Sequence, residues 1–105
     1  MRKHLNELHP ALLLLRKVPK GRVTTYGILA KACHSSPRAI GQIMRRNKYP
    51  DICPCYKVIK SDGSLGGYAG KTKGKKIMEK IQRLRKDGVV IKNGRIDRKY
   101  FWQFG

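Results

Sequence analysis

Between residues 49 and 70 the chain carries Pro50, Pro54 and four glycines, Gly63, Gly66, Gly67 and Gly70. Proline has no amide hydrogen to give to a helix or a sheet ladder, and glycine loses more backbone freedom on ordering than any other residue. Neither a helix nor a central strand runs well through residues 49–55, which read as an ordered loop, and only a short strand is expected over 56–59. The glycines crowd into residues 61–70, and glycine at such density lets backbone come close to a ligand. Longer regular structure is therefore confined to the two flanks.

On the N-terminal flank, Pro10 suits the first turn of a helix over 11–17, with Leu12, Leu15 and Val18 at helical spacing and a stop at Pro19-Lys20-Gly21. Residues 22–24 read as extended. Thr25 then caps a helix over 26–33 whose buried side is Ile28, Leu29 and Ala32, and His34 and Ser35 make a turn. Ser36-Pro37 is an N-cap followed by proline at the first helical position, opening a helix over 37–46 with apolar Ala39, Ile40, Ile43 and Met44. Two helices joined by a short polar turn make a helix-turn-helix, and Arg38, Arg45 and Arg46 equip the second for a DNA groove.

On the C-terminal flank, Ile77, Met78, Ile81 and Leu84 pattern a helix over 73–86 that closes at Gly88. Residues 89–96 alternate around Asn93-Gly94, a strong hairpin signal. The expected fold class is mainly α with a small β wing, a winged helix-turn-helix-like architecture. With 105 residues there is material for one well-packed core and not two, so residues 1–105 are expected to form a single domain.

Charge points to the partner. Twenty-five Lys and Arg against six Asp and Glu leave +19, spread along the whole chain. Such a surface neutralises phosphates and releases their counterions, so it binds nucleic acid in a salt-dependent way. No segment approaches the roughly 20 apolar residues of a membrane span, and no membrane partner is expected. The start, Met1-Arg2-Lys3-His4, has no apolar stretch of a secretory signal, which makes the cytoplasm the expected location. Cys33, Cys53 and Cys55 cannot all pair, so at least one thiol is free, as in a reducing compartment. A zinc site from Cys33, His34, Cys53 and Cys55 would need a Cys-x-Cys step narrower than the gap usual in zinc knuckles; no metal is expected.

Cys55 stands between Pro54 and Tyr56, after the arginine-bearing helix and before the glycine-rich loop. A thiol in a rigid turn, with Lys57 and arginines nearby to favour the thiolate, is placed to attack an electrophilic carbon presented by DNA. These segments resemble the O6-alkylguanine-DNA alkyltransferases, also called methylated-DNA-protein-cysteine methyltransferases. Val18-Pro19-Lys20-Gly21 and Thr25-Tyr26-Gly27 resemble the family's lead-in, and Arg38-Ala39-Ile40-Gly41 with Asn47 its recognition helix. Residues Ile52 to Ile59 resemble the active-site motif, and Ser61-Asp62-Gly63 through Gly66-Gly67-Tyr68-Ala69-Gly70 the loop over the alkyl pocket. Four segments in the right order are more specific than any one.

The resemblance implies the family's C-terminal DNA-binding and active-site domain, without its N-terminal domain. It implies stoichiometric repair: a helix enters the minor groove, the damaged guanine is rotated out, and Cys55 takes the alkyl group from O6 as a stable thioether. The partner is then double-stranded DNA containing O6-alkylguanine, the protein a monomer, and no cofactor is required. By the same resemblance Arg38 fills the gap left in the stack, Tyr26 bonds the guanine edge, and Ala39, Gly41 and Arg45 belong to the DNA-contacting helix. Met44, Val58, Tyr68, Ala69 and Gly70 line the substrate pocket, and Asn47 bonds the turn carrying Cys55. Tyr56 stands where the family has histidine in a proton relay, and Asp87 is the nearest match to the relay's glutamate. Two other readings compete: an alkyltransferase-like protein that binds O6-alkylguanine without repairing it, a group with tryptophan at the cysteine position, and a purely architectural winged-helix DNA binder.

Overall fold

The structure, a computed structural model, describes residues 8–68, 71 and 73–104. Helix α1, Pro10–Leu15, is opened by the His9 imidazole, which accepts the Ala11 amide at 3.0 Å. It closes two residues short of the expected Lys17, because the amides of Arg16, Lys17 and Val18 bond carbonyls three residues back and tighten the last turn. Leu12, Leu15 and Val18 are buried.

Strand β1, Thr24–Thr25, pairs in parallel with β2, Val58–Ile59, with Thr24 opposite Val58 and Thr25 opposite Ile59. Thr25 also caps helix α2, Tyr26–Ala32, accepting the Ile28 amide at 3.0 Å. The inward residues of α2 are Leu29 and Ala30; Ala32, expected to be buried, is exposed, and Ile28 is half-buried. His34 closes α2 at φ +53°, with the Ser35 amide reaching the Ala30 carbonyl at 2.8 Å, a left-handed helix end usually given to glycine. Ser36 then caps α3, Pro37–Arg45, by accepting the Ala39 amide. Ile40 and Met44 face the core, while Arg38, Arg45 and Arg46 are exposed.

The loop after α3 ends in a 3-10 turn, Cys55–Lys57, where a strand was expected to begin at Tyr56. The Lys57 amide bonds the Pro54 carbonyl at 3.0 Å and the Cys55 amide bonds Cys53 at 2.8 Å, so the chain coils tightly before it extends. Only Val58 and Ile59 form the strand, and they point into different apolar clusters, as alternation along a strand requires. Val58 joins Leu12, Leu15, Leu29, Ile40 and Met44; Ile59 joins Val23, Leu84, Val89 and Ile96.

Helix α4, Lys75–Lys86, ends in the expected way: Gly88 takes φ +95° and the Val89 amide reaches back to the Leu84 carbonyl at 3.0 Å. Its buried face departs from expectation. Met78 is 54% exposed, and Lys80 is wholly buried. Strands β3, Ile91–Lys92, and β4, Arg95–Ile96, form the hairpin, with Asn93 and Gly94 both at positive φ. This is the turn whose twist suits two tightly joined strands. The hairpin leans on the glycine-rich loop, since the Ile96 amide donates to the Gly63 carbonyl at 2.8 Å. Beyond it, a 3-10 turn over Arg98–Tyr100 leads to a segment bonded to Val23 at 2.8 and 2.7 Å. Arg22 secures that segment by donating to the Tyr100 and Phe101 carbonyls. The result is a mainly helical fold with a small β wing.

Candidate active site

Cys55 heads the 3-10 turn and is 7% exposed. Asn47, just past the end of α3, holds the approach to that turn from both ends of its amide. Its Nδ2 donates to the Cys53 carbonyl at 2.8 Å, and its Oδ1 accepts the Tyr49 amide at 2.9 Å. The loop over 47–55 is thereby tied to the helix that carries the exposed arginines. Met44, Val58 and Tyr68 pack into the same cluster as Cys55, and half-buried Tyr26 lies against it. One helix therefore buries Met44 in the cluster that holds Cys55 and turns Arg38 and Arg45 to solvent.

Burial pushes the Cys55 thiol above its ordinary range; a hydrogen bond from Asn47 and the charges of Lys80 and Arg83 oppose it. The two neighbouring phenols are shifted the same way. Tyr68 is pushed up to about 12, by burial first and by the Cys55 charge second. Tyr26 is raised by the same two causes in the same order. Both phenols thus keep their protons near neutrality and bring no negative charge to the cluster. Gly66 lets the loop lie close to Tyr26. At its φ of +70°, a methyl group there would sit 3.3 Å from the Tyr26 ring.

The proton-relay positions are arranged differently. Asp87 accepts the Gly21 amide at 2.7 Å and pairs with Lys57 at 3.0 Å, and Lys57 also donates to the Pro19 carbonyl at 2.8 Å. Among the described residues no hydrogen bond joins Asp87 to Tyr56. The Arg83 guanidinium instead lies over the Tyr56 ring, 5.9 Å from its centre. Burial raises the Tyr56 hydroxyl, and the Asp87 charge raises it further, which removes it as a base near neutral pH. Lys57, expected to favour the thiolate, spends its charge on Asp87; the cations that act on Cys55 are Lys80 and Arg83.

On α3, Arg38 and Arg45 are exposed, Ala39 and Gly41 half-buried, and the side of Gly41 where a Cβ would project is open space. Ala69 and Gly70, expected in the substrate pocket, lie outside the described residues, as do Met1 to His4. Cys33, Cys53 and Cys55 are free thiols, and Cys53 is fully buried. Among the described residues no three His, Cys, Asp or Glu side chains come together to hold a metal ion. No helix there is long and apolar enough to cross a membrane. Sequence reasoning missed Lys80. Its signal was nonetheless present, since Ile77, Lys80 and Leu84 recur three and four residues apart, a helical stripe in which lysine holds a core position.

Residues 10–89 match the family profile described as 6-O-methylguanine DNA methyltransferase, DNA binding domain. A bifunctional methyltransferase/endonuclease of Picrophilus torridus is 52% identical over 90 residues, which is 84% of this chain and 28% of that protein. A methylated-DNA--protein-cysteine methyltransferase of Pyrobaculum aerophilum is 47% identical over 73 residues, 70% of this chain and 49% of that one. The chain thus spans about half or less of the length of these curated relatives. The crystal structure of O6-methylguanine-DNA methyltransferase from the archaeon Pyrococcus kodakaraensis superposes with a TM-score of 0.65 at 44% identity, covering 75% of this chain and 44% of that one. Atl1 of S. pombe, solved in complex with damaged DNA containing O6-carboxymethylguanine, superposes with a TM-score of 0.77 over 90% of this chain and 92% of that one. At 22% identity, that likeness speaks to the fold.

Proposed function

The chain belongs to the family of the 6-O-methylguanine DNA methyltransferase DNA-binding domain, and from that membership we propose that it repairs O6-alkylguanine in double-stranded DNA by taking the alkyl group onto Cys55. The observation that carries the reading is the placing of Cys55. It sits in a turn braced by Asn47, among Met44, Val58 and Tyr68, behind a helix whose other face is arginine-rich. In duplex DNA, O6 of guanine lies on the major-groove edge of a stacked, paired base, out of reach of a buried thiol approaching from the minor groove. The lesion must therefore be extruded to meet the sulfur, at a cost of a few kcal/mol that is lower for a mispaired base. Arg38, exposed on α3, is the side chain proposed to fill the vacated space, with Ala39, Gly41 and Arg45 against the DNA. Tyr26 is proposed to bond the extruded base at its edge. Ala69 and Gly70 are assigned to the alkyl pocket by resemblance alone.

In the transfer, the thiol gives up its proton and a sulfur lone pair forms the S–C bond. The C–O6 bond breaks toward the purine, which takes up a proton and remains in the DNA as guanine. The thioether is permanent, so each molecule acts once. No cofactor enters this balance. We assign the activity to a monomer, formed as one domain over residues 1–105, in the cytoplasm, where three free thiols are at home. Intact-protein mass after incubation with a duplex containing O6-methylguanine tests the reading, the expected result being a gain of one methylene's mass located on Cys55. Tight, lesion-selective binding with no change in mass would instead establish a binder that marks the lesion without repairing it.

A further inference from the structure

Lys80 has no exposed surface and sits in the middle of α4. Its Nζ donates to three carbonyls, those of Val58 at 2.7 Å, Leu65 at 2.6 Å and Gly67 at 2.9 Å. An ammonium has three donors and no acceptor, whereas a neutral amine has two donors and a lone pair that a carbonyl oxygen would repel. The Lys80 amine is lowered to about 7, chiefly by burial, with the negative charge of Cys55 acting in the opposite direction. Three matched acceptors add to that second effect, so the cradle is built for the charged form. One carbonyl belongs to β2, three residues after Cys55, and the other two to the glycine-rich loop before Tyr68. Helix α4 packs on the 3-10 turn that Cys55 begins. A positive charge is thus fixed where the nucleophile's turn, the loop and α4 meet.

No carboxylate among the described residues pairs with Lys80. Lys57 pairs with Asp87, and Arg83, which acts on Cys55 less than Lys80 does, also pairs with Asp51 at 3.1 Å and lies over the Tyr56 ring. Arg16, at the end of α1, acts on Cys53, while Tyr26 and Tyr68 face Cys55 with raised, protonated hydroxyls. Tyr68 in turn faces Arg83 and Glu79. The group whose negative charge acts on Lys80 is Cys55.

We propose that the Lys80 ammonium is the built-in counter-charge of the Cys55 thiolate, so that in this chain a fixed buried cation activates the nucleophile in place of a Tyr56–Asp87 proton relay. The proposal rests on the alkyl-transfer reading. In it the thiol proton goes to solvent, Lys80 keeps its own three protons, and the leaving purine is protonated from water. Once Cys55 carries an alkyl group it can no longer be an anion, and Lys80 is left as an unbalanced cation inside the core.

Coupling between two titrating groups is reciprocal, which gives two independent measurements. In Lys80→Met, the Cys55 thiol, followed by thiolate absorbance and by the pH profile of iodoacetamide capture at that residue, should ionise about one pH unit higher. Capture near neutrality should then be about tenfold slower. A role confined to packing would lower the melting temperature and leave the profile in place. Should Lys80→Met not fold, the Lys80 side chain can be titrated by carbon-13 NMR in the wild-type protein and in Cys55→Ala. The lysine should titrate lower in Cys55→Ala, and identical titrations would overturn the pair. The mass assay with O6-methylguanine duplex separates the two ideas. Shifted titrations without a mass gain leave the pair standing and refute transfer, whereas a mass gain with unshifted titrations refutes the pair.

Discussion

Asp87→Asn distinguishes a carboxylate that organises the fold from one that moves protons. The Asp87 side chain is 12% exposed and its partner Lys57 5% exposed, and Asp87 ties the Pro19-Lys20-Gly21 bend to the end of α4 through the Gly21 amide. Removing one member of a buried ion pair typically costs 3–5 kcal/mol, because the other charge is left uncompensated. Asparagine keeps an acceptor for Gly21, and Lys57 keeps the Pro19 carbonyl at 2.8 Å, so the expected loss falls just below that range, about 2–3 kcal/mol. For a chain of this size that corresponds to a fall in melting temperature of roughly 10–20 °C. Thermal denaturation measures it directly. Single-turnover transfer from an O6-methylguanine duplex, measured well below the new melting temperature, should change by less than about threefold if, as proposed, Asp87 serves Gly21 and Lys57 rather than a proton relay. A relay carboxylate would behave in the opposite way, with a loss of about a hundredfold or more in rate and little change in stability. That outcome would show that Asp87 serves the thiol through Tyr56 despite its bonds to Gly21 and Lys57.

Other substitutions probe other joints. Gly63→Ala should destabilise by about 2–3 kcal/mol in urea denaturation, because Gly63 has φ +88° and a methyl group would lie 2.6 Å from the Ile96 carbonyl oxygen; an unchanged midpoint would mean that the loop and hairpin separate freely. Gly41→Ala, whose new methyl meets open space, should stabilise α3 by about 0.5–1 kcal/mol yet weaken duplex binding if that face lies on DNA, and unchanged affinity in a salt titration would remove Gly41 from the interface. Tyr56→Phe should leave transfer within about twofold between roughly pH 6 and 9, since a phenol raised by burial is no base there; a tenfold loss would give the hydroxyl a part in the chemistry.

The helix-turn-helix and the hairpin were legible because their determinants are local. Thr25 and Ser36 each cap the helix that follows them, and Asn93-Gly94 supplies both left-handed residues of its turn. What sequence spacing did not reveal is non-local. Strand β1 pairs with β2 across the helix-turn-helix, and residues 100–102 bond Val23 from the far end of the chain. No propensity in Thr24 or Trp102 names its partner. The site divides along the same line. Cys55 and Asn47 stood out by residue type and order, whereas Lys80 was passed over because lysine reads as solvent-facing unless its three acceptors, 22, 15 and 13 residues away, are known.

That buried lysine also bears on the proposed single-use chemistry, against which a thiol raised by burial works. Each unit by which a thiol's pKa rises removes about tenfold of the thiolate at a given neutral pH, so burial of Cys55 works against its own reactivity. The same burial limits side reactions, since sulfenic acid formation and disulfide exchange follow thiolate fraction and access. Under the proposed single-use transfer, a nucleophile lost to oxidation is not recovered by another turnover, so a raised thiol only 7% exposed would be preserved until a lesion arrives. A base with a pKa near 7 at Tyr56 would withdraw the proton continuously. In the proposed pair a fixed ammonium acts differently, since it withdraws no proton and only opposes the rise that burial imposes on the thiol.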